Sequence, residues 1–187
     1  HPLPKDVLDG PAMRASLTAE SQSQFEHLQS EADYQQVVGG AAAVMLAAGL
    51  PAMESLTVEE TATFQLGHYT LLKGTIGRQS EGTQVPTVAM LHEEKFNGSA
   101  VLWFDGAGKQ RLFGDDGQPH PQVVPLLDRG YCVVGADLFL TGEYLGAESP
   151  LDYQVNESDP CYTFCYNRPR IAERVRDILA VVAAVQS

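Results

Sequence analysis

Basic residues are scarce in this chain. Twelve lysines and arginines stand against 24 aspartates and glutamates in 187 residues, a formal net charge of −12. A surface so acidic repels phosphate backbones and anionic headgroups, which argues against nucleic acid and against a membrane as partners. Long hydrophobic runs are missing too. The longest, "VVGGAAAVMLAAGL" from Val37 to Leu50, carries adjacent glycines and falls short of the roughly 20 residues that span a bilayer. It lies too far into the chain, behind acidic residues, for a signal peptide, and the expectation is a buried helix. Cysteines number 3. Cys132 sits in an apolar, strand-like run and is expected to be a small core residue. Cys161 and Cys165, in "CYTFC", have no histidine or third cysteine near enough to complete a zinc pattern, so no metal is expected. They are either a local disulfide, in a secreted or periplasmic protein, or two free thiols. The first residue is His1 rather than Met, which suits a processed chain or a piece of something longer.

What is present is ordinary for a soluble globular protein: 44% hydrophobic and 19% charged residues, in a length that suits one domain, or one domain plus an arm. Residues 1–55 read as a helical N-terminal arm or linker, with Leu17, Phe25 and Leu28 spaced among polar residues in one or two amphipathic helices. The pattern then changes. "LTVEETATFQLGHYTLLKGTIGRQ" is Thr-rich and β-branched and predicts two antiparallel strands meeting near Gly67 or His68. "TQVPTVAMLHE" predicts a third strand, and "AVLWFD" a strand covered on both faces. "HPQVVPLLDRG" predicts a short helix stopped by Gly130, "YCVVGADL" a second doubly covered strand, and Thr141 to Asp159 a polar loop. In "RPRIAERVRDILAVVAAVQS", Pro169 suits a first helical turn, and Ile171, Val175, Ile178, Leu179 and Val182 make a wide apolar face. Strands in a meander followed by β-α-β-loop-α define an α/β class, with antiparallel strands leading into parallel ones.

The glycines after "AVLWFD" demand a reason. A dinucleotide fingerprint needs G-x-G-x-x-G, but Arg111 stands where the third glycine should be, and "GAGKQ" does not fit a P-loop. A small nucleotide-binding domain resting on "GAGK" is therefore a weak reading. An oxyanion-binding loop is the stronger one. There backbone N–H groups stabilise a tetrahedral intermediate, and glycine lets the chain turn without a Cβ in the way.

Three stretches, "VPTVAMLHEEKFNGSAVLWFDGAGK", "LLDRGYCVVGADLFLTGE" and "CYTFCYNRPRIAERVRDILAVV", together resemble the first half of the α/β-hydrolase domain of acetyl xylan esterase-like proteins. That broad group includes dienelactone hydrolases and prolyl-oligopeptidase-type hydrolases. The resemblance covers residues 56–187, and its more specific pieces are the "YNRP" step into a helix and the run G-Y-x-V-x-x-x-D-x-x-x-x-G-E. It implies the N-terminal part of an α/β-hydrolase sheet, an ester substrate, no cofactor, and an oxyanion-hole loop at Gly106, Ala107 and Gly108. It also implies a Ser in G-x-S-x-G, then an acid, then a His. The chain contains no G-x-S-x-G; "NGSAV" around Ser99 lacks the second glycine. No catalytic residue is therefore assigned within the chain. The expectation is a fragment or subunit that supplies scaffold and oxyanion loop and is inactive alone. Its partner would be the missing C-terminal half, a second polypeptide, or another copy paired along an exposed sheet edge. The rival reading is a non-catalytic hydrolase-like module for binding or assembly.

Four further residues border the expected site: Asp105, Lys109, Asp137 and Glu143. Asp105 stands where the family's loop often begins with His. It either caps the turn through its side chain or is paired by Lys109. Asp137 either organises the loop near the site or bonds local backbone N–H groups. Glu143 and Glu148 lie in the long loop and shape its border or are merely solvated. Arg168 and Arg170 flank a helix start, where the dipole disfavours cations, and a salt link to Asp137 or to the missing half would explain them. The histidines (His27, His68, His92, His120) have no Ser or Asp partner at a telling spacing and read as surface or turn residues, and Trp103 as core.

Overall fold

A computed structural model describes residues 7–145 and 168–186. The chain divides into two compact units, His1–Met45 and Leu46–Ser187.

The first unit is helical. Asp9 caps helix α1 (Gly10–Glu26) by accepting the Ala12 N–H at 2.8 Å, with Pro11 in the first turn. Ser30 caps α2 (Glu31–Tyr34) by accepting from the Asp33 N–H at 3.1 Å, and Asp33 in turn accepts from the Gln29 N–H. A π-turn, Gln35–Gly39, leads into α3 (Gly40–Leu46), which stops where Ala47 takes φ 46°. None of these helices buries a residue. This corrects two expectations. The Val37–Leu50 run is not a buried helix: Val44 is 81% exposed and Met45 71%. Leu17 and Phe25 are exposed as well, so α1 has no buried stripe.

The second unit is a five-stranded open sheet in the order β1-β2-β3-β5-β4. Strands β1 (Leu56–Leu66), β2 (Tyr69–Arg78) and β3 (Thr83–Leu91) form the expected antiparallel meander. Gly67, at φ 64°, opens the tight turn between the first two. β5 (Cys132–Ala136) pairs antiparallel with β3 and parallel with β4 (Ala100–Trp103). The β4-to-β5 crossover carries a short 3-10 turn, Lys109–Leu112, and helix α4 (Val124–Asp128). Helix α5 (Arg170–Val185) follows β5.

Alternation along the strands splits the core into two layers. Val85, Val134 and Ala136 meet Ala180, Val181 and Ala183 of α5. Val88, Met90 and Val133 meet Leu112, Val123 and Leu127 of the crossover. The helices thus cover opposite faces, and β5, threaded between β3 and β4, is covered on both, as β3 is. Two details differ from expectation. The side of α5 that is buried carries Ala172, Asp177, Ala180, Val181 and Ala183, while Ile171 is exposed. Small residues let the helix settle on the sheet, and the larger aliphatics flank the contact. Among the described residues β4 is an edge strand, and Val101, Leu102 and Trp103 are only half-buried. Trp103 packs against the second layer from the side. Cys132 is a half-buried free thiol whose pKa burial pushes up.

Candidate functional site

The parallel pair β4–β5 is where the sheet reverses its order of winding. In open α/β sheets, crevices at the carboxyl ends of such strands are the usual ligand sites. Two loops leave there: Phe104 to Lys109 after β4, and Asp137 to Leu145 after β5.

Asp137 holds the two together. Its side chain is 1% exposed. One carboxylate oxygen accepts the Lys109 backbone N–H at 2.7 Å, and the other accepts the Glu143 N–H at 2.9 Å and the Lys109 ammonium. Lys109, also buried, gives a second bond to Glu143 Oε1 at 2.6 Å. Two glycines make room. Gly108 has φ 85° and Gly142 φ 53°, and a Cβ on either would strike the Asp137 carboxylate. The "GAGK" and D-x-x-x-x-G-E runs are therefore two sides of one clasp.

The second loop is held from its far side as well. Asp177 of α5 accepts the Phe139 N–H at 2.8 Å, and Arg174 donates to the carbonyls of Phe139 and Leu140 at 3.0 and 3.2 Å. Between them Leu140 sits at φ 55°, a conformation that costs a bulky residue energy and persists where surroundings fix it. Burial pushes the Asp177 carboxyl above its ordinary range, opposed by the Phe139 N–H and by Arg78, 3.8 Å away.

In the glycine loop, Asp105 acts as the turn cap: its carboxylate accepts the Ala107 N–H at 2.8 Å, and its carbonyl accepts the Gly108 N–H at 3.0 Å. Gly106 is exposed and its N–H has no partner among the described residues. Of the three amides read as oxyanion donors, two are turned inward on Asp105. Lys109 does not pair with Asp105, contrary to one expectation. Its ammonium reaches Asp137 and Glu143, and Arg111 lies 3.9 Å from Asp105 instead.

A cleft of about 370 Å³ opens against the clasp, bordered by Lys109, Asp137 and Glu143 together with Lys73, Gln110 and Phe113. Lys73 escapes a reading by motif, because it reaches the cleft from β2, far away in sequence, and Phe113, four residues after Lys109, carries no motif of its own. Gly142 was in plain view inside the D-x-x-x-x-G-E run.

The remaining residues stand apart from this site. Arg168 pairs with Glu173 at 3.3 Å, not with Asp137. His27 bonds the Ser23 carbonyl and His120 accepts the Gln122 N–H. His92 is buried rather than superficial, its ring stacked 6.2 Å from that of His68. Ser99 lies in the turn into β4, its N–H bonded to Asn97. Among the described residues no cluster of His, Cys, Asp and Glu could hold a metal ion, and no helix is long and apolar enough to cross a membrane. His1, Glu148, the Cys161–Cys165 pair and the first part of "YNRP" lie outside the described residues.

The chain matches no known protein family, no curated protein and no solved structure. What the geometry defines is a mixed, mostly antiparallel open sheet with helices and a charged clasp at its parallel end.

Proposed function

We propose that this chain is the scaffold half of a serine carboxylic-ester hydrolase of the α/β-hydrolase, acetyl xylan esterase-like kind. In the complete enzyme a serine is the nucleophile and a histidine the general base, and the Gly106–Ala107–Gly108 loop contributes oxyanion donors. Serine, acid and histidine come from a second polypeptide or from chain outside this sequence, and no cofactor takes part. One observation carries the reading: the glycine loop and the D-x-x-x-x-G-E run, read separately as hydrolase features, meet through Asp137 at the carboxyl ends of β4 and β5. The Gly106 amide is free to donate, while those of Ala107 and Gly108 must leave Asp105 before they can serve. An unassembled donor set agrees with a chain that is inactive alone.

A second reading, a non-catalytic hydrolase-like module, is favoured by that same Asp105, which fills the amides of its own loop with a negative charge. One experiment separates the two. The pure chain is expected not to hydrolyse an aryl acetate. Joined to a polypeptide that carries a strand and G-x-S-x-G, it gains turnover that a fluorophosphonate abolishes. Fluorophosphonate-sensitive turnover by the pure chain would sink the divided-enzyme reading, and a folded but inert reconstituted protein would favour the module.

A further inference from the structure

We propose that the cleft beside Lys109 binds a small carboxylate-bearing molecule, and that Glu143 is the internal stand-in which that carboxylate displaces. The inference does not rest on the hydrolase reading.

The two acids on the Lys109 ammonium are unequal. Asp137 is 1% exposed and tied down by two backbone N–H groups. Glu143 has a side chain 66% exposed, and among the described residues its carboxylate bonds nothing but the Lys109 ammonium. One is a fixed counter-ion. The other is a solvent-screened partner, the kind that exchanges at little cost. A buried ammonium whose outer ligand is a loosely held carboxylate is a carboxylate site already occupied by the chain itself.

The cleft supplies the rest of a site. With Glu143 swung out, Asp137 cancels Lys109 and the exposed Lys73 remains, so the cleft turns from neutral to cationic in a protein of net charge −12. Val88 and the Phe113 ring give an apolar wall, and Gln110 a neutral donor and acceptor. Its volume, about 370 Å³, lies within the range of small-molecule sites. Few polar groups against an apolar wall select a carboxylate with a short aliphatic body over a bare inorganic anion.

The test is an NMR titration of the isotope-labelled full chain with sodium butyrate, with butyramide as the neutral isostere and sodium chloride at matched ionic strength. Butyrate is expected to shift the amides of Lys109, Glu143 and Phe113 saturably, and butyramide and chloride are not. Glu143→Ala removes the internal competitor and should tighten butyrate by about tenfold if Glu143 holds Lys109 nine-tenths of the time. Lys109→Met should abolish the response. Where that variant does not fold, the Lys109 ammonium signal of the unaltered chain, moving with butyrate and not with chloride, decides instead. Unsaturable shifts, equal responses to butyramide or chloride, or unchanged affinity in Glu143→Ala would overturn the proposal.

Discussion

The Asp137 carboxylate accepts the backbone N–H of Lys109 at 2.7 Å, from a residue 28 positions earlier in the chain. That bond joins the end of β4's loop to the end of β5, and Asp137 also binds the Lys109 ammonium and the Glu143 amide. One buried side chain therefore sets the relative position of both loops that border the cleft.

Asp137→Ala should be among the most destabilising single changes in the second unit. It leaves the Lys109 and Glu143 amides without their acceptor and the Lys109 ammonium with the exposed Glu143 as its carboxylate partner. Breaking a buried ion pair from one side costs about 3–5 kcal/mol when the remaining charge has no other partner; with Glu143 still on the ammonium, a urea melt should show a loss near the lower end of that range. Asp137→Asn keeps an acceptor of the same size and should lose less.

The glycines give a sharper contrast. Gly108→Ala and Gly142→Ala each force a Cβ toward the Asp137 carboxylate at positive φ. The backbone penalty alone is about 1–2 kcal/mol, and the clash adds to it. Gly106→Ala, with nothing within 4 Å of the added carbon, should stay within about 0.5 kcal/mol of the parent. Thermal melts of the three variants check this. Equal losses at Gly106 and Gly108 would mean the loop is not held as described.

Much of the second unit was legible in the sequence. The Thr-rich meander, the turn at Gly67 and the β-α-β order all follow from alternation and turn residues. The partner of Lys109 was not. Asp105, four positions away, was one candidate, with a turn cap as its other reading, and it is the cap; the real partner, Asp137, is brought close by β5 entering the sheet between β3 and β4, which no local pattern reveals. α5 misled for a different reason. Its large aliphatics, Ile171 and Val175 among them, looked like the buried face, but close approach to a sheet favours small residues, and Ala172, Ala180 and Ala183 are covered along with Val181 and Asp177. Val37–Leu50 shows the limit of composition: apolar content alone does not say whether anything packs against it.

Two carboxyls that share Arg78 (Glu81 after β2 and Asp177 on α5) should pull the acid stability in opposite directions. The Arg176 guanidinium holds Glu81 below its ordinary value of 4.5. The folded state therefore binds this proton less readily, and the stabilisation is present above that value and lost as pH falls through the folded pKa. Burial raises Asp177 above its ordinary 3.8. There the folded state takes up the proton first, so this group favours folding increasingly as pH falls through its raised pKa toward 3.8. Relative to the parent, Glu81→Gln should flatten the loss of stability on acidification and Asp177→Asn should steepen it. Melts from about pH 7 down to about pH 3 read both slopes; shifts of the same sign in the two variants would contradict these assignments.

The last prediction concerns β4. Its composition, "AVLW", is that of an interior strand, yet among the described residues it pairs on one side with β5 and forms the sheet's edge, with Val101, Leu102 and Trp103 half-buried. A strand edge with apolar side chains on both faces is a template for another strand. In a divided enzyme that strand belongs to the second polypeptide. Without it, a second copy is the nearest substitute. The pure chain should therefore associate as its concentration rises, with a weight-average mass climbing above 20.2 kDa in analytical ultracentrifugation. Ala100→Lys, which places a charge on the exposed end of that edge, should hold the mass near the single-chain value while leaving the fold intact by circular dichroism. A chain that stays at 20.2 kDa throughout would remove self-association from the reading and leave the edge to a different partner. Association that Ala100→Lys does not weaken would place the contact elsewhere on the surface.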